Sequence, residues 1–103
     1  QGGVGNETEQ KELQSGASLK PNPFNPSTAL SFNLNEKARV RVEIFDAAGR
    51  VVNTLASDIM DKGNHTITWN GKDGYGKSVS AGVYYVRLVT GKREAFLRAV
   101  FSK

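Results

Sequence analysis

His65 is the only histidine in 103 residues, and there is no cysteine, so nucleophile–base chemistry has almost nothing to be built from. A general base must reach the proton it takes within hydrogen-bond distance. His65 instead alternates with Ile67 and Trp69, a spacing that makes it a half-buried strand residue. No Ser–His–Asp arrangement and no glycosidase carboxylate pair can be singled out. Asn70, Lys72, Asp73 and Gly74 faintly resemble a calcium loop. Alternating acidic ligands and a closing Glu are missing, which favours a plain turn. Tyr75 and Trp69 together would make an aromatic platform for sugars, although one exposed aromatic is ordinary on a surface. The chain is therefore expected to be non-catalytic, with no metal, no cofactor and no small-molecule substrate.

The elements that would carry any site must come from one small domain. The first 19 residues offer only Val4, Leu13 and Leu19 as large apolar side chains. Such a segment buries too little to offset its ordering entropy, so residues 1–19 are expected to be a linker and residues 20–103 the folded unit. A unit of that size buries only about 60–65% of its unfolded surface, and no disulfide reinforces it. No apolar run reaches the length of a signal-peptide core or membrane span. Because the chain opens on Gln1, it is expected to be a mature fragment or excised module with any export signal upstream. From Lys20 onward, 13 Lys or Arg stand against 7 Asp or Glu. These charges lie singly along strand-like segments, with no basic cluster or nucleic-acid motif, which argues against a nucleic-acid partner.

Period-two alternation runs from residue 28 to the end. Leu30, Phe32 and Leu34 share one face of the first such segment, and Val40, Val42 and Ile44 share one face of the next. Asp46-Ala47-Ala48-Gly49-Arg50 reads as a hairpin turn, followed by a short strand over residues 51–55 and a polar excursion over 57–63. Residues 64–70 alternate again. Asn70-Gly71-Lys72-Asp73-Gly74-Tyr75-Gly76-Lys77 is a turn-rich loop. The last two strands cover residues 82–90 and 92–101, and the first of these is apolar on both faces, as a central strand would be. With no 3.6-residue period anywhere, the expectation is all-β: a small antiparallel immunoglobulin-like sandwich of six to seven strands without a disulfide.

All three prolines fall within six residues, in Lys20-Pro21-Asn22-Pro23-Phe24-Asn25-Pro26-Ser27-Thr28. Proline fixes its own φ and pushes the preceding residue towards extended geometry. Residues 21–26 are therefore expected to form a stiff strap with Phe24 as its one apolar side chain. Such a strap can pack Phe24 on the domain's own core, cover an exposed strand edge, or give a partner a fixed shape to grip.

The strap, followed by Leu30, Phe32 and Leu34, resembles the opening of the type IX secretion C-terminal sorting domain, a family that overlaps with the immunoglobulin-like domain of flagellar hook-capping proteins. The resemblance continues through Val40, Val42, Ile44, Phe45, Asp46, Gly49 and Arg50. It resumes through Gly63, His65, Trp69, Gly71, Asp73, Gly76, Val79, Gly82, Val83, Tyr84 and Leu88, and covers residues 20–103. Gly49, Trp69, Gly71, Asp73, Gly76, Gly82 and Tyr84 read as fold-specifying: glycines for turns and close approaches, aromatics as core pieces with polar tips.

The resemblance implies a non-catalytic address at the C-terminus of a larger exported cargo. It implies passage through the type IX translocon, handling by a shuttle protein, and cutting by a sortase-type cysteine peptidase, with the cargo attached at the cell surface or released. The cut is expected in the stretch Gln14, Ser15, Gly16, Ala17, Ser18, Leu19, where the chain should be accessible. Recognition would use the strap residues Pro21, Asn22, Pro23, Phe24, Asn25 and Pro26 together with a terminal strand carrying Arg98, Val100, Phe101 and Lys103. Many members place Lys where Arg98 stands, and Arg is not an innocent replacement for it. Arg98 and Lys103 read equally well as an ordinary exposed strand residue and a chain end. The rival readings are an accessory β-sandwich of a secreted enzyme, as a carbohydrate-binding module or a structural spacer, and a hook-capping assembly domain lying internally in a chain with an assembly region upstream.

Overall fold

The computed structural model describes residues 17–102. Seven strands account for most of them: β1 (Ala17–Lys20), β2 (Thr28–Leu34), β3 (Ala38–Phe45), β4 (Val51–Met60), β5 (Gly63–Trp69), β6 (Gly82–Thr90) and β7 (Arg93–Phe101). They form two antiparallel sheets of order β1-β2-β5 and β4-β3-β6-β7. This is the small immunoglobulin-like sandwich expected from the alternation, and β6 is central, paired with β3 and β7. The core is where period two placed it. Leu30, Phe32 and Leu34 from one sheet meet Val40, Val42, Ile44, Val86 and Leu88 from the other, all nearly inaccessible to solvent.

Two expectations need correction. Strand pairing already includes Ala17–Leu19, ahead of the expected boundary at Lys20, because β1 pairs with β2 in the register Ala17↔Phe32 to Lys20↔Ala29. Four residues with one large apolar side chain carry too little pattern to read as a strand, yet Ala17 and Leu19 pack against the core. The short strand over residues 51–55 and the first part of the polar excursion, up to Met60, are in fact one ten-residue strand, β4, while Gly63 already opens β5. Its pairing with β3 shifts register between Val42 and Glu43 and between Ile44 and Phe45. Such irregularities move side chains from one face to the other, which erases the alternation that reveals a strand.

The outer face of the four-stranded sheet is held by charge. Arg41 Nε lies 3.2 Å from Glu43 Oε2, Arg87 reaches Glu43 Oε1 at 3.0 Å, and Arg87 Nε also bonds Glu94. The chain β3–β6–β7 is thus cross-linked on a face that the core does not cover. Tyr85 and Phe96 stand beside it with 38% and 59% of their surfaces exposed.

Candidate recognition edge

The strap closes onto β7. Asn22 extends its side-chain amide along the outer edge of that strand, with Nδ2 donating to the Arg98 carbonyl at 2.6 Å and Oδ1 accepting from the Val100 N–H at 3.0 Å. A primary amide carries the same donor and acceptor as a peptide group, so Asn22 stands in for a missing neighbouring strand. Phe24 continues the pairing with its own backbone: its N–H donates to the Val100 carbonyl at 2.8 Å, and its carbonyl accepts from Ser102 at 2.9 Å. The result is a short parallel bridge between Phe24 and Phe101. Thr28 Oγ1 donates to the Pro21 carbonyl and closes the strap on itself at 2.7 Å. All three X–Pro bonds in the strap are cis. The strap therefore covers part of a sheet edge, as one sequence reading foresaw, and the edge is that of the terminal strand.

Below the bridge, Phe24 is 1% exposed. Its ring stacks on Phe101 at 4.8 Å and tilts against Trp69 at 5.3 Å, and Trp69 meets Tyr84 edge-on at 5.2 Å. The polar tips find backbone acceptors: Trp69 Nε1 donates to the Lys72 carbonyl at 2.8 Å and Tyr84 Oη to the Ser80 carbonyl at 2.6 Å. Burial pushes the Tyr84 phenol up, with the Asp46 charge adding to it. Gly71, at φ +73°, passes so close that a β-carbon there would lie 3.0 Å from Phe101 and 3.2 Å from the Pro26 carbonyl. The buried Trp69 cannot form a sugar platform with Tyr75, which is 93% exposed on the neighbouring loop.

Two turns at this end of the sandwich repeat one design. In residues 46–50, Asp46 Oδ1 accepts from the backbone N–H of Ala48 at 2.9 Å and of Arg50 at 3.0 Å. In residues 73–77, Asp73 Oδ1 accepts from Tyr75 at 2.9 Å and Lys77 at 3.0 Å. Gly49 and Gly76 each donate to the carbonyl of the leading Asp and sit at φ +87° and +86°. The Arg50 N–H, and behind it the Ala48 N–H and the Arg50 guanidinium, hold the Asp46 carboxyl below its ordinary value. The Lys77 and Tyr75 N–H groups do the same for Asp73. The repeated pattern Asp-x-x-Gly-Arg/Lys stands in the sequence and could have revealed the pair. In both turns the Oδ1 of the leading aspartate is taken up by the N–H groups of the turn itself. A shallow depression of about 340 Å³ lies between the two turns, lined by residues including Asp46, Arg50, Asp73 and Tyr75.

The remaining sites fall as follows. His65 is half-buried on β5, stacks on Phe32 at 5.5 Å and places Nε2 2.7 Å from the Asp61 carbonyl. Gly82 opens β6 at φ +153°, with open space where a β-carbon would be. Of the expected cleavage stretch, Ala17, Ser18 and Leu19 lie in β1, while Gln14, Ser15 and Gly16 lie outside the described residues, as does Lys103. Asn25 and all three prolines of the strap are exposed. No group of three or more His, Cys, Asp or Glu is placed to hold a metal ion among the described residues.

These features define an immunoglobulin-like β-sandwich whose last strand is edge-capped by its own proline strap. The FlgD Ig-like domain family matches residues 16–94, and the chain belongs to that family. Among solved structures, the chain is similar to PorZ, described as an essential bacterial surface component of the type-IX secretion system of Porphyromonas gingivalis. That likeness has a TM-score of 0.61 at 20% identity and covers 89% of this chain but only 12% of PorZ. No curated protein sequence matches the chain.

Proposed function

We propose that this domain is a non-catalytic address, carried at the C-terminus of a larger cargo and gripped by the type IX secretion machinery. The observation that carries the reading is the composite edge. The strap and the terminal strand are hydrogen-bonded into one unit through Asn22 and Phe24. Phe24 and Phe101 are spent on the core, while Pro21, Pro23, Asn25, Pro26 and Arg98 remain exposed. A partner would therefore meet a rigid surface whose shape is set before binding, which lowers the ordering cost of recognition. Membership of the FlgD Ig-like family and the likeness to a domain-sized part of a type-IX surface component support the assignment.

In this reading the translocon and a shuttle protein recognise the strap and β7, and a sortase-type cysteine peptidase cuts upstream. Proteases need unpaired, extended substrate. Ala17–Lys20 is paired to β2, so the cut falls before Ala17, on the Gln14–Ser15–Gly16 side of the expected stretch. The cargo then stays at the cell surface or is released.

The test fuses the whole chain behind a periplasmic reporter in a type IX-competent host. The intact fusion should reach the cell surface. An Arg98→Ala/Lys103→Ala double variant should fold with an unchanged melting temperature and lose most surface display. Retention of the intact fusion in the periplasm would remove the address reading.

A further inference from the structure

Among the described residues, the outer edge of β7 is filled along only part of its length. The N–H and C=O of Val100 both point outward, to Asn22 and Phe24. By the two-residue period of a strand, the outward groups further back belong to Arg98, Phe96 and Glu94. Asn22 takes the Arg98 carbonyl. Among the described residues, β7 has no strand neighbour other than β6, so the outward groups of Phe96 and Glu94 have no strand partner. Their side chains share the uncovered outer face, where Phe96 borders a shallow apolar depression of about 310 Å³ with Phe45, Ala47, Gly49 and Tyr85.

We infer that residues 94–98 of β7 pair antiparallel with the same segment of a second copy, about a two-fold axis through Phe96. The four-stranded sheets of the two copies then join into one of eight strands. The charges select this arrangement. Antiparallel pairing on Phe96 sets each Glu94 against Arg98 of the other copy, whereas parallel pairing in the same register would stack Glu94 on Glu94 and Arg98 on Arg98. Arg98 makes no ion pair within its own chain among the described residues. Glu94 is 44% exposed beside Arg87, with Oε2 engaged by the Arg87 Nε.

The backbone is compatible as well. Each Phe96 exchanges an N–H and a C=O with Phe96 of the second copy, and each Arg98 N–H meets a Glu94 carbonyl. The Arg98 carbonyl that Asn22 already holds keeps a second lone pair, which the Glu94 N–H of the other copy takes. Pairing begins where the strap ends, so the strap blocks a slide towards Val100 and fixes the register. Because the axis is perpendicular to the sheet, both outer faces point the same way. The two Phe96 rings meet at the axis, and the exposed aromatic that the monomer leaves unexplained gains a partner. The contact is small, below the roughly 1,200 Å² of standard interfaces, so association is weak and concentration-dependent.

Sedimentation equilibrium on the whole chain, up to roughly 1 mM protein, reads the association directly. Glu94→Arg sets Arg against Arg in its own pairs, and Arg98→Glu sets Glu against Glu. Each variant alone should associate about tenfold or more weakly than the parent. In an equimolar mixture both contacts again join opposite charges, and association should return to near the parental level. The mixture also controls for the Arg87 contact that Glu94→Arg removes, and circular dichroism checks that both variants fold. A parent that stays monomeric throughout, variants that associate as well as the parent, or a mixture that fails to recover would each overturn the pairing.

Discussion

At the residue scale, two aspartates and one glycine carry more of this fold than their exposure suggests. Asp46 and Asp73 are both held below the ordinary carboxylate value of 3.8, chiefly by backbone N–H groups of the turns they close. A group with a depressed folded value contributes stability that is complete above the unfolded value and is lost as pH falls through the folded one. Asp46→Ala and Asp73→Ala should therefore lower the thermal midpoint at pH 7, and the gap to the parent should narrow as pH falls below 3.8 and through the depressed folded values, where both carboxyls protonate. A gap that stays constant from neutral to strongly acidic solution, measured by calorimetry, would refute the turn mechanism. Gly71 and Gly76 separate two costs. Both sit at positive φ, but only at Gly71 would a β-carbon strike Phe101 and the Pro26 carbonyl. Gly76→Ala should cost about 1–2 kcal/mol in urea unfolding from backbone strain alone, and Gly71→Ala at least about 1 kcal/mol more from overpacking.

At the element scale, the strap contains the dipeptide Asn-Pro twice, and its two asparagines meet opposite fates. Asn22 is bonded to β7 at two points, whereas the exposed Asn25 amide makes no hydrogen bond among the described residues. Asn22→Ala should cost about 1 kcal/mol, and Asn25→Ala should stay within about 0.5 kcal/mol. Equal losses in a chemical-denaturation comparison would mean that the strap is held by something other than the amide clamp. The asymmetry was not legible, because the Asn22 partner lies 76 residues away and nothing local distinguishes the two copies of the motif. Strands β2 and β3 were legible for the converse reason, since alternate apolar residues mark their core faces, and β6 was legible by an apolar loading of both faces. β4 was legible only in part because it is an edge strand with register shifts and a largely exposed composition.

At the scale of the whole molecule, both sheets and the strap converge on a single core, with Trp69 at the junction of Phe24 and Tyr84. One core implies one cooperative transition. Trp69 emission should be blue-shifted and poorly quenched by acrylamide in the folded protein. Its change on denaturation should coincide with loss of the far-ultraviolet circular dichroism signal. Separate midpoints would show that the three-stranded sheet and its strap unfold apart from the four-stranded sheet. Because Trp69 is 1% exposed, the same emission should not respond to added polysaccharide through direct stacking.

The order of residues was enough to specify strand period, turn chemistry and the stiffness of the strap, since each depends on neighbours a few positions apart. It did not specify that Asn22 completes β7, that Glu43 is shared by Arg41 and Arg87, or that the described residues leave part of one edge open beside Phe96. Those outcomes join segments far apart in the chain. Only closure of the two sheets brings them within hydrogen-bond range, where the loop entropy of the join is offset by the shared core.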